Sequence, residues 1–265
     1  LFNEASQRLY QLLIEPFSAA LSHLHRLVIS PSDVLMQIPF SALIDREGKY
    51  LGERLELAIA LSTADPVYSQ SVSPRDGLRF CHIDPLEYSP LIETLEYQAA
   101  QSQSQLTIYT PESWLEESHH HLERGSGQKR MTVVTLNAEF SDKGTVSFTD
   151  DHGSSELSMS EMVRSLVYVN ASCCILSKNL SPYLVPQKSI QTLLTSVYGG
   201  VIHCRWRGQS FSPLFARALQ RLSEGSLLIG MMGTLTHLRR TAIQERHHPR
   251  EWACFELYVA QHQLK

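Results

Sequence analysis

Short apolar runs, each closed by a polar turn and separated by helix-like patterns, constrain this chain more than any other feature. They include RLVIS (Arg26–Ser30), LELAIAL (Leu55–Leu61), GLRFCHID (Gly77–Asp84), QLTIYT (Gln105–Thr110) and MTVVTLNAEF (Met131–Phe140). TVSFTD (Thr145–Asp150), SCCILS (Ser172–Ser177) and GVIHCRW (Gly200–Trp206) complete the series. Several are continuously apolar, not alternating, as expected for strands covered on both faces. Between them lie helical patterns. PESWLEESHHHLERG opens with Pro111 in the first turn and stops at Gly125, and SPLFARALQRLSEG is capped by Ser212 and stops at Gly225. SPLIETLEYQAAQ, SMSEMVRSL and SLLIGMMGTLTHLRR are further helices by spacing, and the opening LYQLLIEPFSAAL predicts a helix kinked or restarted near Pro16. Strands alternating with helices predict an α/β fold with a mostly parallel sheet flanked by helices.

The chain has 265 residues, 43% hydrophobic and 19% charged, which is enough material for one large domain or two small ones. A net charge of −4 gives no basic field for nucleic acid or an anionic membrane, and no apolar run approaches the roughly 20 residues that span a bilayer. Five cysteines, an odd number seated in or beside apolar runs, argue against a disulfide framework and for a reducing compartment such as the cytoplasm. There is no C-x-x-C pair, P-loop or G-x-G-x-x-G, so no metal or cofactor is expected. The chain opens on Leu1 without a signal-peptide pattern and reads as a segment of a longer protein; the polar GSGQKR stretch marks a seam near residue 127.

In an open parallel sheet, reactive groups gather just past the C-terminal ends of strands. Three such ends stand out: Asn137, Asn179, and the pair Arg205 and Arg207. A cysteine hydrolase needs a thiol at one end and an imidazole at its neighbour. Cys173 and Cys174 precede their strand end, alternate between faces, and are expected in the core with raised pKa values. Cys204 and His203 are likewise expected in the core. His119, His120 and His121 point about 100° apart on a helix and do not converge on one ion. His152, in an Asp- and Gly-rich turn, is a base only if that turn folds over a nucleophile.

The chain resembles the CHAT domain family, caspase-like cysteine peptidase domains often attached to tetratricopeptide repeats. The resemblance rests on LYQLLIEPF, on RLVISPSDVLMQIPFSALIDREGKYLGERLELAIALS, and on ELSMSEMVRSL, YGGVIHCRWRG and HHPREWACFELYV, in that order. It implies a caspase-like sheet with an N-terminal pseudo-caspase-like half (1–127) and a C-terminal half (128–265) carrying the catalytic strand ends. The family's Ala-Thr-His-Gly motif falls on VTLNAEF, placing Asn137 at the histidine and Ala138 at the glycine. Its Leu-Ser-Ala-Cys-Glu-Thr-Gly motif falls on LSKNLSP, placing Asn179 at the cysteine and Lys178 at the alanine, with Leu176 and Ser177 in register.

An asparagine carboxamide supplies neither a thiolate nor a proton shuttle. The resemblance thus implies the family's scaffold without its chemistry: a protein-binding or regulatory module of a larger, repeat-containing protein, with protein or peptide partners. Ala138, Lys178, Arg205 and Arg207 are the candidate cleft residues. The competing reading is an active cysteine endopeptidase with a displaced pair, Cys174 or Cys204 with His152 or His203.

Overall fold

The computed structural model describes residues 2–32, 34–61, 78–84, 92, 96, 99–100, 105–124, 131–141, 144–150, 153–176, 187–197, 199–204 and 227–260. Eleven described strands and eight α-helices alternate along the chain. Helix α1 (Phe2–Leu13) ends before Pro16; a 3₁₀ turn at Glu15–Phe17 restarts the chain into α2 (Ser18–Leu21), as the proline predicts. Strand β1 (Arg26–Ile29), α3 (Leu51–Arg54) and β2 (Glu56–Leu61) follow. The turn before α3 is built by Asp45, whose Oδ1 accepts from the N–H groups of Glu47 and Lys49, each at 2.9 Å, with Gly48 at φ +83°. Then come β3 (Leu78–Ile83), β4 (Gln105–Tyr109), α4 (Pro111–Arg124) and β5 (Met131–Leu136). A small antiparallel sheet of β6 (Glu139–Phe140), β7 (Thr145–Asp150) and β8 (Gly153–Ser158) precedes α5 (Met159–Tyr168). The chain closes through β9 (Ala171–Leu176), α6 (Gln187–Leu194), β10 (Gly200–Cys204), α7 (Leu227–Gln244), α8 (Pro249–Trp252) and β11 (Phe255–Ala260).

The main sheet has eight strands in the order β1-β2-β11-β10-β9-β5-β3-β4. It is two parallel blocks laid in opposite directions. β1, β2 and β11 run one way; β10, β9, β5, β3 and β4 run the other; the blocks meet at the antiparallel pair β10–β11. The sheet draws β1 to β4 from one side of the expected seam and β5 and β9 to β11 from the other. This large, mostly parallel sheet flanked by helices is consistent with the caspase-like architecture.

The apolar patterning explains the layering. Every residue of β9, β10 and β11 is buried, because helices cover both faces. One face packs Ile59, Ile83, Leu136 and Cys174 under α1, α4, α5 and α6; the other packs Phe80, Val133, Cys173 and Leu257 under α7 and Trp252. A capping box starts α5: Ser158 Oγ accepts from Glu161 N at 3.2 Å and Glu161 Oε2 from Ser158 N at 2.8 Å.

Two segments differ from their sequence reading. FELYVA, taken only as part of a closing motif, is β11, a strand in the middle of the sheet. GSSELS, taken as a turn running into a helix, is β8, an outer strand whose polar residues Ser154 and Glu156 face solvent while Leu157 is buried. The SPLFARALQRLSEG helix lies outside the described residues, as does most of SPLIETLEYQAAQ.

Under α7 sits a buried charged pair. Arg239, 1% exposed, donates from Nη2 to the carbonyl oxygen of Phe255 at 3.0 Å; Glu256, 3% exposed, accepts from the Tyr258 hydroxyl at 3.0 Å through Oε2. Both line a small cavity with Phe40 and Ser41. Nε and Nη1 of Arg239 have no hydrogen-bond partner among the described residues. Burial lowers the Arg239 pKa to about 10, opposed by nearby Glu256.

Candidate functional site

The C-terminal ends of β3 and β5 hold the candidate positions that are described, Asn137 and Ala138. β5 and β9 are parallel neighbours, with Leu136 paired to Leu176. Asn137 is the first residue after β5. Its backbone N–H still donates to Ile83 O at 3.0 Å, after which the chain turns away into β6. Ala138, at the glycine position of the resembled motif, is 2% exposed and packs its methyl group into the core. Lys178, Asn179, Arg205 and Arg207 lie outside the described residues, as does His152.

Asn137 is half-buried and does not stand alone. Its Nδ2 donates to Asp84 Oδ2 at 2.9 Å. The same oxygen is 3.2 Å from His82 Nε2, and His82 Nδ1 is 2.6 Å from Thr135 Oγ1. The Thr135 hydroxyl also lies 3.4 Å from Cys81 O. His82, Asp84 and Thr135 are each 2% exposed or less. Strand register explains the grouping. His82 pairs with Thr135, and Thr135 with Ile175, so period-two alternation sets His82, Asp84, Thr135 and Asn137 on one face of the sheet.

His82 and Asp84 were not among the sequence candidates. The signal was present: GLRFCHID ends its strand on polar residues, and the rule applied to three strand ends applies equally to this one. His82 read instead as part of an apolar run.

The displaced-pair residues that are described lie in the core. Cys173, Cys174 and Cys204 are fully buried, Cys173 and Cys174 on opposite faces of the sheet as alternation requires. Burial pushes the Cys173 and Cys174 thiols far above the ordinary range and Cys81 up to about 11, so thiolate is scarce at neutral pH. His203 is 1% exposed and faces the Tyr258 ring at a centroid separation of 6.4 Å. The three-histidine run falls within α4. Among the described residues, no three metal-ligating side chains converge, and no helix is long and apolar enough to cross a membrane.

The model of the CHAT domain family matches residues 3–105, from α1 to the start of β4. A comparison with curated proteins gave no significant match. The matched span holds β1 to β3, His82 and Asp84; Asn137 and Asn179 fall outside it. Over residues 3–105 the chain is similar to the CHAT domain, a caspase-like family, and the resemblance read from its motifs is supported there.

Proposed function

We propose that this chain is a catalytically silent CHAT domain that serves as a protein-binding or regulatory module of a larger protein, with tetratricopeptide repeats of the same chain as neighbours. The observation that carries the reading is Asn137. It stands at the strand end where the family motif has histidine, and its carboxamide is bound to Asp84. A carboxamide neither takes up a proton at neutral pH nor hands one on. With asparagine also at position 179, nucleophile and base are both replaced, and neither acts without the other. The buried thiols of Cys173, Cys174 and Cys204 argue against a displaced nucleophile. A cleft of this kind binds an extended peptide by main-chain pairing without any nucleophile. Arg205 and Arg207 are the side chains proposed to read its charge. A cytoplasmic setting fits five cysteines with no partner thiol required.

The test exposes the full-length protein to a mixed peptide library and to a cysteine-reactive electrophile at neutral pH. The expected result is no cleavage and no selective labelling. Labelling of one cysteine together with matched cleavage overturns the reading. Partner capture from the same preparation, compared with an Arg205→Ala/Arg207→Ala variant, locates binding: loss places it in the cleft, and unchanged capture places it elsewhere.

A further inference from the structure

Asp84 is a nearly buried carboxylate, and it faces the site. Its Oδ2 receives Asn137 Nδ2 at 2.9 Å and His82 Nε2 at 3.2 Å. His82 has no ring nitrogen left for a ligand, since Nδ1 is held by Thr135 Oγ1 at 2.6 Å and the residue is 0% exposed. It is a prop behind Asp84, not a base. An ionised carboxylate only accepts hydrogen bonds. The Asn137 carboxamide must therefore turn its NH2 inward, and its carbonyl oxygen, on the opposite branch of the same group, outward. Two donors on one buried oxygen, one of them propped by a third residue, form a more rigid seat than a single surface contact.

We infer that Asp84 is the positioning residue of position 137. It holds the side chain there by an inward N–H, so that an acceptor atom faces the ligand side. The inference rests on the reading of position 137 as part of a ligand cleft. It also implies that the seat outlasts the base: any N–H donor placed at 137 is held by the same carboxylate.

The test uses Asn137→His in the full-length protein, with imidazole titration followed by NMR. Among the described residues, His82 is the titratable group bonded to Asp84; Arg79 and Tyr109, joined by Arg79 Nη2 donating to the Tyr109 hydroxyl at 3.0 Å, lie on the other face of the sheet. β5 contributes only Thr135 and Asn137 there. The new imidazole is expected to titrate roughly one pH unit above the usual histidine value, because a carboxylate within hydrogen-bond reach favours the charged ring. Adding Asp84→Asn is expected to remove that rise. His247, bound to other carboxylates on the far side of the sequence, is an internal reference that should not move. A midpoint indifferent to Asp84→Asn overturns the inference.

If Asn137→His does not fold, the native protein carries the test. The Asn137 carboxamide protons should exchange slowly and show nuclear Overhauser contacts to the His82 ring; fast exchange without those contacts overturns the inference. Peptidase activity in the wild type would sink the silent-site reading and leave these titrations unchanged, so the two failures are distinguishable.

Discussion

Two buried polar clusters lie in the two oppositely directed blocks of one sheet, and they are built differently. At the C-terminal ends of β3 and β5, His82, Asp84, Thr135 and Asn137 satisfy one another in a chain of hydrogen bonds. Under α7, at β2 and β11, Arg239 makes one hydrogen bond to Phe255 O and leaves Nε and Nη1 without a described partner. The first cluster ends on a half-buried side chain beside a candidate cleft, the second in the core. A satisfied network fixes the orientation of its outermost member. A partly satisfied charged pair holds elements together yet contributes little net stability against an apolar replacement. The closed cluster is thus the one that fixes a side chain at the end of the sheet, although the charged one is the more conspicuous.

The largest expected effect lies in the second cluster. Arg239→Met alone leaves Glu256 buried without its cation and is expected to cost about 3–5 kcal/mol in denaturant unfolding. Arg239→Met combined with Glu256→Leu should recover most of that loss. If the double variant is as unstable as the single one, the pair is more than a replaceable clamp.

Gly52→Ala comes next. A methyl group there would sit 2.8 Å from Ser41 Cβ and 2.9 Å from Arg239 Cδ, so α3 could not pack on the arginine stem, at a cost of about 1–3 kcal/mol. The check is the midpoint of thermal or urea unfolding.

In the first cluster, Asp84→Ala strands two donors and is expected to cost about 1–3 kcal/mol. Asn137→Ala removes only the outermost member and should cost less. Equal losses would mean that Asn137 is a structural part of the core and not the tip of a seat.

The smallest effect is a pH dependence at a partly exposed counterpart of the His82–Asp84 pair. His247 lies 2.7 Å from Glu251 and 3.3 Å from Glu245, and its pKa is raised, chiefly by the hydrogen bond to Glu251. A raised histidine pKa gives stability that is full below the unfolded value of about 6.5 and is lost as pH rises through the folded value. The Glu251 pKa is lowered by the same bond, so its share is present above the unfolded value of about 4.3 and is lost as pH falls through the folded one. Urea midpoints should therefore show a shallow maximum between those limits, flattened in His247→Gln.

Much of the frame was legible in the sequence because two-sided burial writes itself as continuous apolar runs. β9 and β10 were readable for that reason, and so was the placing of Cys173 and Cys174 on opposite faces. β11 was not recognised as a strand, because Glu256 interrupts FELYVA with a charge whose partner, Arg239, lies 17 residues earlier on a helix. No local pattern announces such a pairing. The site was half legible. Asn137 was found through a motif, whereas Asp84 is bound to it across 53 positions, and only the pairing of β3 with β5 brings the two together.

The central place of β11 has a consequence for synthesis. β2 is complete at Leu61, but its neighbour β11 begins only at Phe255. At about 5–20 residues per second, a ribosome takes roughly ten to forty seconds to make the intervening chain. Throughout that interval β2 presents an unpaired apolar edge, and β10 joins it once made. A pause before residue 255 would prolong the exposure of that edge to aggregation.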